Sequence, residues 1–268
     1  MTADGDTGIR HALTEDMLRI TLARREKANA LRREEMTVLL EILERAAASG
    51  DVRAVLIDAE GRNFCAGADL VTANAPSGGK PPLGSMIRSL NATAHRLIQT
   101  LWDFPAPTVA AVQGRAAALG LNIALATDFV VAAETASFAH PFAQRGFSAD
   151  SGATYLLPRL IGVARAKRML MRGTIISAPQ ALEWGLIGDV VPAEDLPGVA
   201  ESLTAELAAG PTLVHALTKT LVSEHLTSDL PRALAAEART VELSLRGDDF
   251  KEGVRAFLGR RAPAFTGR

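Results

Sequence analysis

Cysteine is nearly absent from this chain of 268 residues, because Cys65 is the only one. A single cysteine cannot form an intramolecular disulfide framework, and it cannot by itself build a zinc site. Aromatic residues make up only 4% of the chain, so a pocket lined by aromatic rings has few residues to draw on. We therefore expect a protein of a reducing compartment without a metal site.

The chain also lacks a charge excess and long apolar runs. Its formal net charge of −1 at pH 7 gives no electrostatic reason to propose a nucleic acid or an anionic membrane as partner. No apolar run approaches the roughly 20 residues of a membrane helix, and the polar, acidic N-terminus differs from a secretory signal. No glycine pattern matches a phosphate-binding loop or a dinucleotide fingerprint. We expect a cytoplasmic protein.

Hydrophobic residues, in contrast, are abundant at 48% of the chain. Residues 17–22 alternate polar and apolar side chains as a strand does, and residues 53–58, with a continuous apolar run at 54–57, are typical of a buried strand. Helices are predicted at 32–48 and, as one long element, at 85–102, before a further strand at 129–132. Strands that alternate with helices favour an α/β core with parallel pairing.

The character of the chain changes towards its C-terminal end, where helix-forming residues dominate. We interpret residues 1–195 as the core and residues 196–268 as a helical C-terminal region. The segment from Thr72 to Gly84 contains three prolines and three glycines, which makes it the best candidate for a mobile loop.

Two turns of small residues are the first candidate for chemistry. Residues 109–128 are typical of a buried strand, a turn at 118–121 and the start of a helix. A second turn follows the strand at 53–58 and contains Ala66, Gly67 and Ala68. Backbone N–H groups from two such strand ends can together stabilise an enolate or a tetrahedral oxyanion, although turns of small residues also occur without any function.

Asp150 is the second candidate, because this carboxylate stands among small and apolar neighbours in the segment 147–152. One reading makes it a base that faces a pocket. The other makes it the N-cap of a helix over residues 151–157, since Asp is a preferred capping residue. The two roles are compatible, because a capping carboxylate can still face a pocket.

These segments resemble the crotonase superfamily, also called the enoyl-CoA hydratase/isomerase family. The resemblance implies an α/β fold, a spiral of ββα units with a helical C-terminal trimerisation region, and an acyl-CoA thioester as substrate. It also implies a homotrimer or a dimer of trimers, and no cofactor beyond the coenzyme A of the substrate. The matching segments run in the family's order along nearly the whole chain: Asn29 to Leu31, Arg53 to Ile57, Phe64 to Asp69, Ala110 to Gly114, Ala126 to Asp128, Phe138 to Pro141, Leu157 to Gly162, Ala178 to Leu186, Lys251 to Phe257 and Phe265 to Gly267.

Carried over residue by residue, the resemblance places the two oxyanion-hole N–H donors at Ala68 and Leu119. Leu119 departs from the glycine that the family usually has there, so its side chain must find room. The residues expected to contact coenzyme A or the acyl group are Arg25, Ala28, Ala66, Phe142 and Arg260.

The resemblance also exposes two departures that bear on the reaction. The two glutamates of family hydratases would fall at Asn122 and Phe142, and neither side chain exchanges a proton at neutral pH. We therefore expect hydratase activity to be weak or absent. Asp150 stands where some family isomerases place a working aspartate, so the preferred interpretation is a 3-enoyl-CoA to 2-enoyl-CoA isomerase with Asp150 as base.

The same residues leave other functions open. Loss of both glutamates also fits a non-catalytic acyl-CoA-binding protein, or an enoyl-CoA hydratase in name only. A dehalogenase would use Asp150 as a nucleophile, but it would need an aromatic-lined pocket.

His140 could line the acyl pocket, although a hydrogen-bonded structural histidine is commoner. Cys65 is expected to be a small buried residue, and Asp69 and Asp128 to fix turns and helix ends.

Overall fold

The apolar runs form strands in two sheets of the computed structural model, which describes residues 7–69 and 82–267. The strands in these ranges are β1 Ile9–Thr14, β2 Met17–Leu22, β3 Ala54–Ala59, β4 Thr108–Val112, β5 Arg115–Ala117, β6 Phe129–Ala133, β7 Ser137–Ala139, β8 Ile176–Ser177 and β9 Asp189–Val191. Six of them form a sheet in the order β1-β2-β3-β4-β6-β9, and three form a second sheet in the order β5-β7-β8. In the first sheet β1 and β2 pair antiparallel and the other neighbours pair parallel, which confirms the predicted parallel core.

Most of the predicted helices are confirmed, but the single helix expected at 85–102 is wrong. It is broken at Thr93, whose φ of −128° and ψ of −95° are not helical. The Thr93 hydroxyl donates to the Ser89 carbonyl at 2.8 Å, a bond that competes with helix continuation. The helices are α1 Arg33–Ser49, α2 Ser85–Ala92, α3 Ala94–Trp102, α4 Leu119–Ala126, α5 Ala153–Arg172, α6 Ala178–Trp184, α7 Leu196–Ala209, α8 Thr212–His225, α9 Leu230–Ser244 and α10 Asp248–Leu258.

Strand β3 shows why its sequence is continuously apolar. Val55 and Ile57 pack into the main core, whereas Leu56 faces the opposite side of the sheet. There it joins Leu196 and Ala200 of α7, which cover that face. A parallel sheet that is buried on both faces has no polar side to alternate with, so both sets of side chains must be apolar.

Gly114 directs the chain from the first sheet into the second. It lies between β4 and β5 at a φ of +56°, and a Cβ atom there would lie 1.9 Å from the Arg62 carbonyl oxygen. Only glycine fits this turn. The short strand β5 that follows leads directly into the turn before α4. Because β5 is an edge strand of the second sheet, this crossing places that turn at the edge of the second sheet.

The other expectations about organisation concern membrane helices, the loop from Thr72 to Gly84 and the boundary after residue 195. Within the described ranges, no helix is both long and apolar enough to cross a membrane. The loop predicted to be mobile lies outside the described residues except for residues 82–84. The boundary expected after residue 195 stays a prediction.

Candidate active site

The two turns of small residues lie directly against each other. Cys65 forms a parallel bridge with Ala116, and the Ala117 N–H donates to the Cys65 carbonyl at 2.9 Å. A Cβ atom on Gly67 would lie 3.5 Å from the Leu119 nitrogen. A Cβ atom on Gly120 would lie 2.4 Å from the Cys65 carbonyl oxygen. Glycine at both positions therefore lets the two backbones approach as the sequence predicted.

The Ala68 and Leu119 N–H groups lie in this pair of turns without a protein acceptor in the described ranges. Around Ala68, the Gly67 carbonyl and the Asp69 N–H are both bonded to Leu31, so the intervening Ala68 N–H is turned away from that partner. Leu119 is the first residue of α4, where an N–H has no intrahelical acceptor. Such a pair of N–H groups can donate hydrogen bonds to a thioester oxygen and stabilise the negative charge that develops on it.

Ala118 sets the direction of the Leu119 N–H group. Its φ of 50° and ψ of −122° are strained for a residue with a Cβ atom, at a cost of roughly 1–3 kcal/mol. Hydrogen bonds hold it on both sides, from its N–H to the Ala139 carbonyl and from the Asn122 N–H to its own carbonyl, each 3.0 Å. The side chain of Leu119 finds its room in the main hydrophobic core.

The segments expected to contact coenzyme A come together only in part. The Ala66 N–H donates to the Ala28 carbonyl at 3.0 Å, and Ala28 has a φ of 50°. Arg25 lies exposed in a single helical turn just before Ala28. Arg260 is also exposed, and no contact within the described ranges links it to this group. The roles of both arginines stay predictions.

Arg24 is a residue that the sequence reasoning missed. Its guanidinium donates to the Asp69 carboxylate at 2.9 Å and to the Ala30 carbonyl at 3.0 Å, and both charged side chains are largely buried. The pair ties the segment around Ala28 to the turn that carries the Ala68 N–H. Asp69 thus fixes a turn, as expected, but a charge pair 45 positions apart leaves no local signal.

Known proteins match this chain over a range that includes both turns and Asp150. Residues 13–268 match the family described as enoyl-CoA hydratase/isomerase. This chain belongs to that family, within the crotonase superfamily.

Relatives in this enoyl-CoA hydratase/isomerase family carry both kinds of name. A 1,2-epoxyphenylacetyl-CoA isomerase of Escherichia coli strain K12 is 38% identical over 253 residues, which is 94% of this chain and 95% of that protein. A 2,3-dehydroadipyl-CoA hydratase of the same strain is 32% identical over 252 residues, which is 94% and 96% of the two chains. The crystal structure of an enoyl-CoA hydratase from Bacillus anthracis matches with a TM-score of 0.90 at 30% identity, covering 97% of this chain and 100% of that one.

In this family member, Asn122 links α4 to Asp150. The side chain of Asn122 is fully buried, and its amide nitrogen donates to the Asp150 backbone carbonyl at 3.2 Å. Asp150 itself is half-buried, and its carboxylate makes no hydrogen bond or ion pair within the described ranges. The bond holds the Asp150 backbone against the first turn of the helix that supplies the Leu119 N–H.

The expectation that Asp150 caps a helix over 151–157 is wrong. The helix begins at Ala153, its N-cap residue is Gly152 at a φ of 87°, and no side chain caps it. Ser151 between them also has a positive φ of 51°, so the chain turns sharply before the helix starts. The Asp150 carboxylate is therefore not used by the helix terminus.

Phe142 and His140 form an apolar wall beside the same turn. Phe142 is buried against Ala118 and Ala153, stacks on the His140 ring at 5.4 Å and meets the Phe147 ring edge-on at 5.3 Å. Burial lowers the pKa of His140 to about 4, so the imidazole is neutral at pH 7. The expectation that His140 is hydrogen-bonded is wrong, since neither ring nitrogen has a partner in the described part of the protein.

Cys65 is buried and Asp128 binds neighbouring segments of the fold, as expected. Burial raises the pKa of the Cys65 thiol to about 12, and its Sγ atom lies 3.0 Å from the Asn29 carbonyl oxygen. Asp128 accepts the Thr108 N–H at 2.8 Å and pairs with Lys219 at 2.8 Å. The Asp128–Lys219 pair borders a cavity of about 530 Å³ at the far end of α4, and none of the predicted site residues lines it.

Proposed function

We propose that this protein is a 3-enoyl-CoA to 2-enoyl-CoA isomerase in which Asp150 is the base. The observation that carries the proposal is the bond from Asn122 to the Asp150 backbone. It fixes the only carboxylate among the predicted site residues beside the helix turn that bears the Leu119 N–H. One carboxylate and two free N–H donors are what a double-bond shift requires.

The reaction moves one proton and leaves the protein unchanged. The Asp150 carboxylate removes the proton from the α-carbon, and the electrons pass into the thioester to form a dienolate. The Ala68 and Leu119 N–H groups hold the negative oxygen while the charge lasts. Asp150 then returns the proton to the γ-carbon, which places the double bond between the α- and β-carbons. No cofactor beyond the substrate's own coenzyme A is needed.

A single carboxylate among the predicted site residues supports isomerisation over hydration. Addition of water to a double bond requires one group to activate the water and another to deliver a proton. Asn122 donates to a backbone carbonyl, and Phe142 is an apolar wall. Neither exchanges a proton, so we expect hydration to be much slower than isomerisation.

Asp150→Asn provides the direct test. The variant keeps the shape of the side chain but cannot act as a base. We expect its rate with 3-hexenoyl-CoA to fall by roughly 10²–10⁴ while hexanoyl-CoA binds as before. Ultraviolet absorbance of the conjugated thioester follows the product, and calorimetry follows binding.

Two results would overturn this proposal. Undiminished turnover by the asparagine variant would remove Asp150 from the mechanism. Tight binding of hexanoyl-CoA without turnover of any 3-enoyl-CoA by the unaltered protein would favour the acyl-CoA-binding alternative.

We further propose that the protein assembles as a homotrimer or a dimer of trimers through its C-terminal helices. Four apolar side chains follow one stripe of α9 and its end, with the spacing of a helix face. Their exposed fractions are 70% for Leu230, 55% for Leu234, 53% for Val241 and 43% for Leu245. Exposed apolar side chains that follow one face of a helix are typical of a contact surface.

A further inference from the structure

The chain between Glu134 and Glu183 carries a local excess of positive charge. Residues 135–182 contain six cationic side chains and one carboxylate, that of Asp150. The formal net charge of the whole protein is −1, so the rest of the chain does not share this excess. A surface with a surplus of one sign attracts a partner of the opposite sign.

Three of the six cations share one face of α5. The helix is kinked at Gly162, and beyond that residue Arg165, Arg168 and Arg172 follow one another at spacings of three and four. Side chains at such spacings lie on the same side of a helix. All three arginines are exposed. At 1.5 Å per residue, they form a row about 10 Å long.

Arg145 extends this arginine row towards the candidate active site. It is exposed in a short helical turn, and the side chain of its neighbour Gln144 donates to the Arg172 carbonyl at 3.4 Å. A Cβ atom on Gly173 would lie 2.6 Å from Cδ of Gln144, so the two segments are in direct contact. The same segment continues to Asp150, five residues after Arg145. The row therefore ends beside the segment that carries the proposed base.

Within the described ranges, no carboxylate neutralises the arginine row. The guanidinium groups of Arg145, Arg168 and Arg172 make no ion pair there. Arg165 lies over the Trp184 ring at 5.1 Å and donates to the Trp184 carbonyl at 3.4 Å, so its positive charge is not balanced either. Like charges four positions apart repel each other, and an anionic partner would relieve this repulsion.

Exposed apolar side chains beside the row favour a protein over a free anion as partner. Met171 on α5 is 71% exposed, and Ile175 just beyond the helix is 53% exposed. Protein interfaces are enriched in Arg and Met and combine apolar contacts with a polar rim. A free phosphate would use the charges only and would leave these two side chains in water.

We propose that Arg145, Arg165, Arg168 and Arg172 form a docking surface for an acidic acyl carrier protein. The proposal rests on the acyl thioester function proposed above and names a partner for that site. Such a carrier holds its acyl group as a thioester on a phosphopantetheine arm, which is also the reacting part of an acyl-CoA. Carboxylates along one helix of the carrier pair with the arginine row, and the arm brings the thioester to the segment of Asp150.

Two thioesters of the same acyl group test the docking surface. The substrates are 3-hexenoyl-CoA and the 3-hexenoyl thioester of an acidic bacterial acyl carrier protein, each given to the unaltered protein and to Arg168→Glu. The reversed charge repels the carrier, so we expect KM for the carrier ester to rise about tenfold or more while kcat stays within about twofold. With 3-hexenoyl-CoA, both constants should stay within about twofold.

Arg45→Glu is the matched control, because Arg45 is also exposed on a helix, α1, and lies outside the row. It should behave as the unaltered protein does with both esters. Arg168→Lys keeps the charge and should keep most of the low KM for the carrier ester. Rising salt should raise that KM in the unaltered protein and much less in Arg168→Glu. If circular dichroism shows that Arg168→Glu does not fold, Arg145→Glu tests the other end of the row.

Other occupants of the row would give different results. An equal rise in KM for both esters would mean that the row binds the phosphates of coenzyme A. A changed molecular mass of Arg168→Glu in light scattering would mean that the row is a contact between copies of this chain. Either result would overturn the carrier as partner, and so would unchanged kinetics of Arg168→Glu with the carrier ester.

Binding and turnover together separate this inference from the isomerase proposal. The hexanoyl thioester of the carrier protein is titrated into the same preparation by calorimetry. Turnover of 3-hexenoyl-CoA without binding of the carrier leaves the isomerase and removes the docking surface. Binding that Arg168→Glu abolishes, without turnover of either ester, does the reverse. Failure of both esters to react and of the carrier to bind would overturn both.

Discussion

His140 shows at the residue scale how burial alone changes a side chain. Its ring is fully enclosed and stacked on Phe142, and desolvation is the cause of its lowered pKa. The charged imidazolium is disfavoured inside an apolar wall because it would lose its hydration. A neutral ring beside Ala118 adds no positive charge to the two turns that carry the Ala68 and Leu119 N–H groups.

Acid should therefore destabilise the protein through His140. The unfolded chain takes up a proton near pH 6.5, whereas the folded ring resists protonation until about pH 4. The contribution of neutral His140 to stability is fully present above pH 6.5 and is lost as the pH falls towards 4. Between pH 7 and pH 5 the loss amounts to about 2 kcal/mol. Urea unfolding at the two pH values should show a smaller loss of unfolding free energy in His140→Gln than in the unaltered protein, by that amount. An equal loss in both proteins would mean that His140 is not the cause.

Helix α4 is the element that organises the site, and its start depends on glycine. Gly120 is its second residue, and the Cys65 carbonyl, Cβ and Sγ atoms all lie within 2.8 Å of where a Cβ atom would stand. The helix therefore packs its first turn directly onto the turn that carries the Ala68 N–H. The distance between the Ala68 and Leu119 N–H groups is set by this contact between backbones.

Gly120→Ala should separate the two donors. The added methyl group meets a backbone carbonyl that cannot rotate away, so we expect a loss of about 1–3 kcal/mol in unfolding free energy and a fall in turnover of at least about tenfold. Gly198→Ala in α7 is the matched control, because nothing lies within 4 Å of its added Cβ atom. It should be neutral or stabilising by about 0.4–1 kcal/mol with full activity. Equal behaviour of the two variants would mean that the contact does not position the donors.

At the scale of the whole molecule, the core and the C-terminal helices differ in what they bury. The sheet is covered on both faces within one chain, whereas α9 leaves its apolar stripe on the surface. A single copy therefore satisfies the core but not the C-terminal helices. A contact between copies through this stripe would bury it.

The mass in solution tests this proposal. Light scattering after gel filtration should give three or six times the chain mass of 28.3 kDa. Leu234→Glu places a charge in the stripe and should shift the mass towards that of one chain, because an unpaired buried charge is costly. Ala235→Glu adds the same charge on another face of α9 and should leave the mass unchanged. A single-chain mass for the unaltered protein would overturn the assembly.

The sequence by itself determined the features that depend on neighbouring residues. Apolar runs such as residues 54–57 predicted the strands, and small residues at 66–68 and 118–121 predicted the two turns, although α4 already begins at Leu119. It also determined the family, because the matching motifs occur in order along the chain. Periodicity and turn chemistry are local, so the printed residues are enough to predict them.

Only the tertiary structure decided what these features do to one another. The bond from Asn122 to Asp150 spans 28 positions, the pair of Arg24 with Asp69 spans 45, and the unpartnered ring of His140 depends on what packs around it. The structure likewise moved the helix start past Asp150 to Ala153 and broke a predicted helix at Thr93. Contacts between distant segments depend on the packing of the whole chain, because no local pattern specifies which buried polar atom finds a partner.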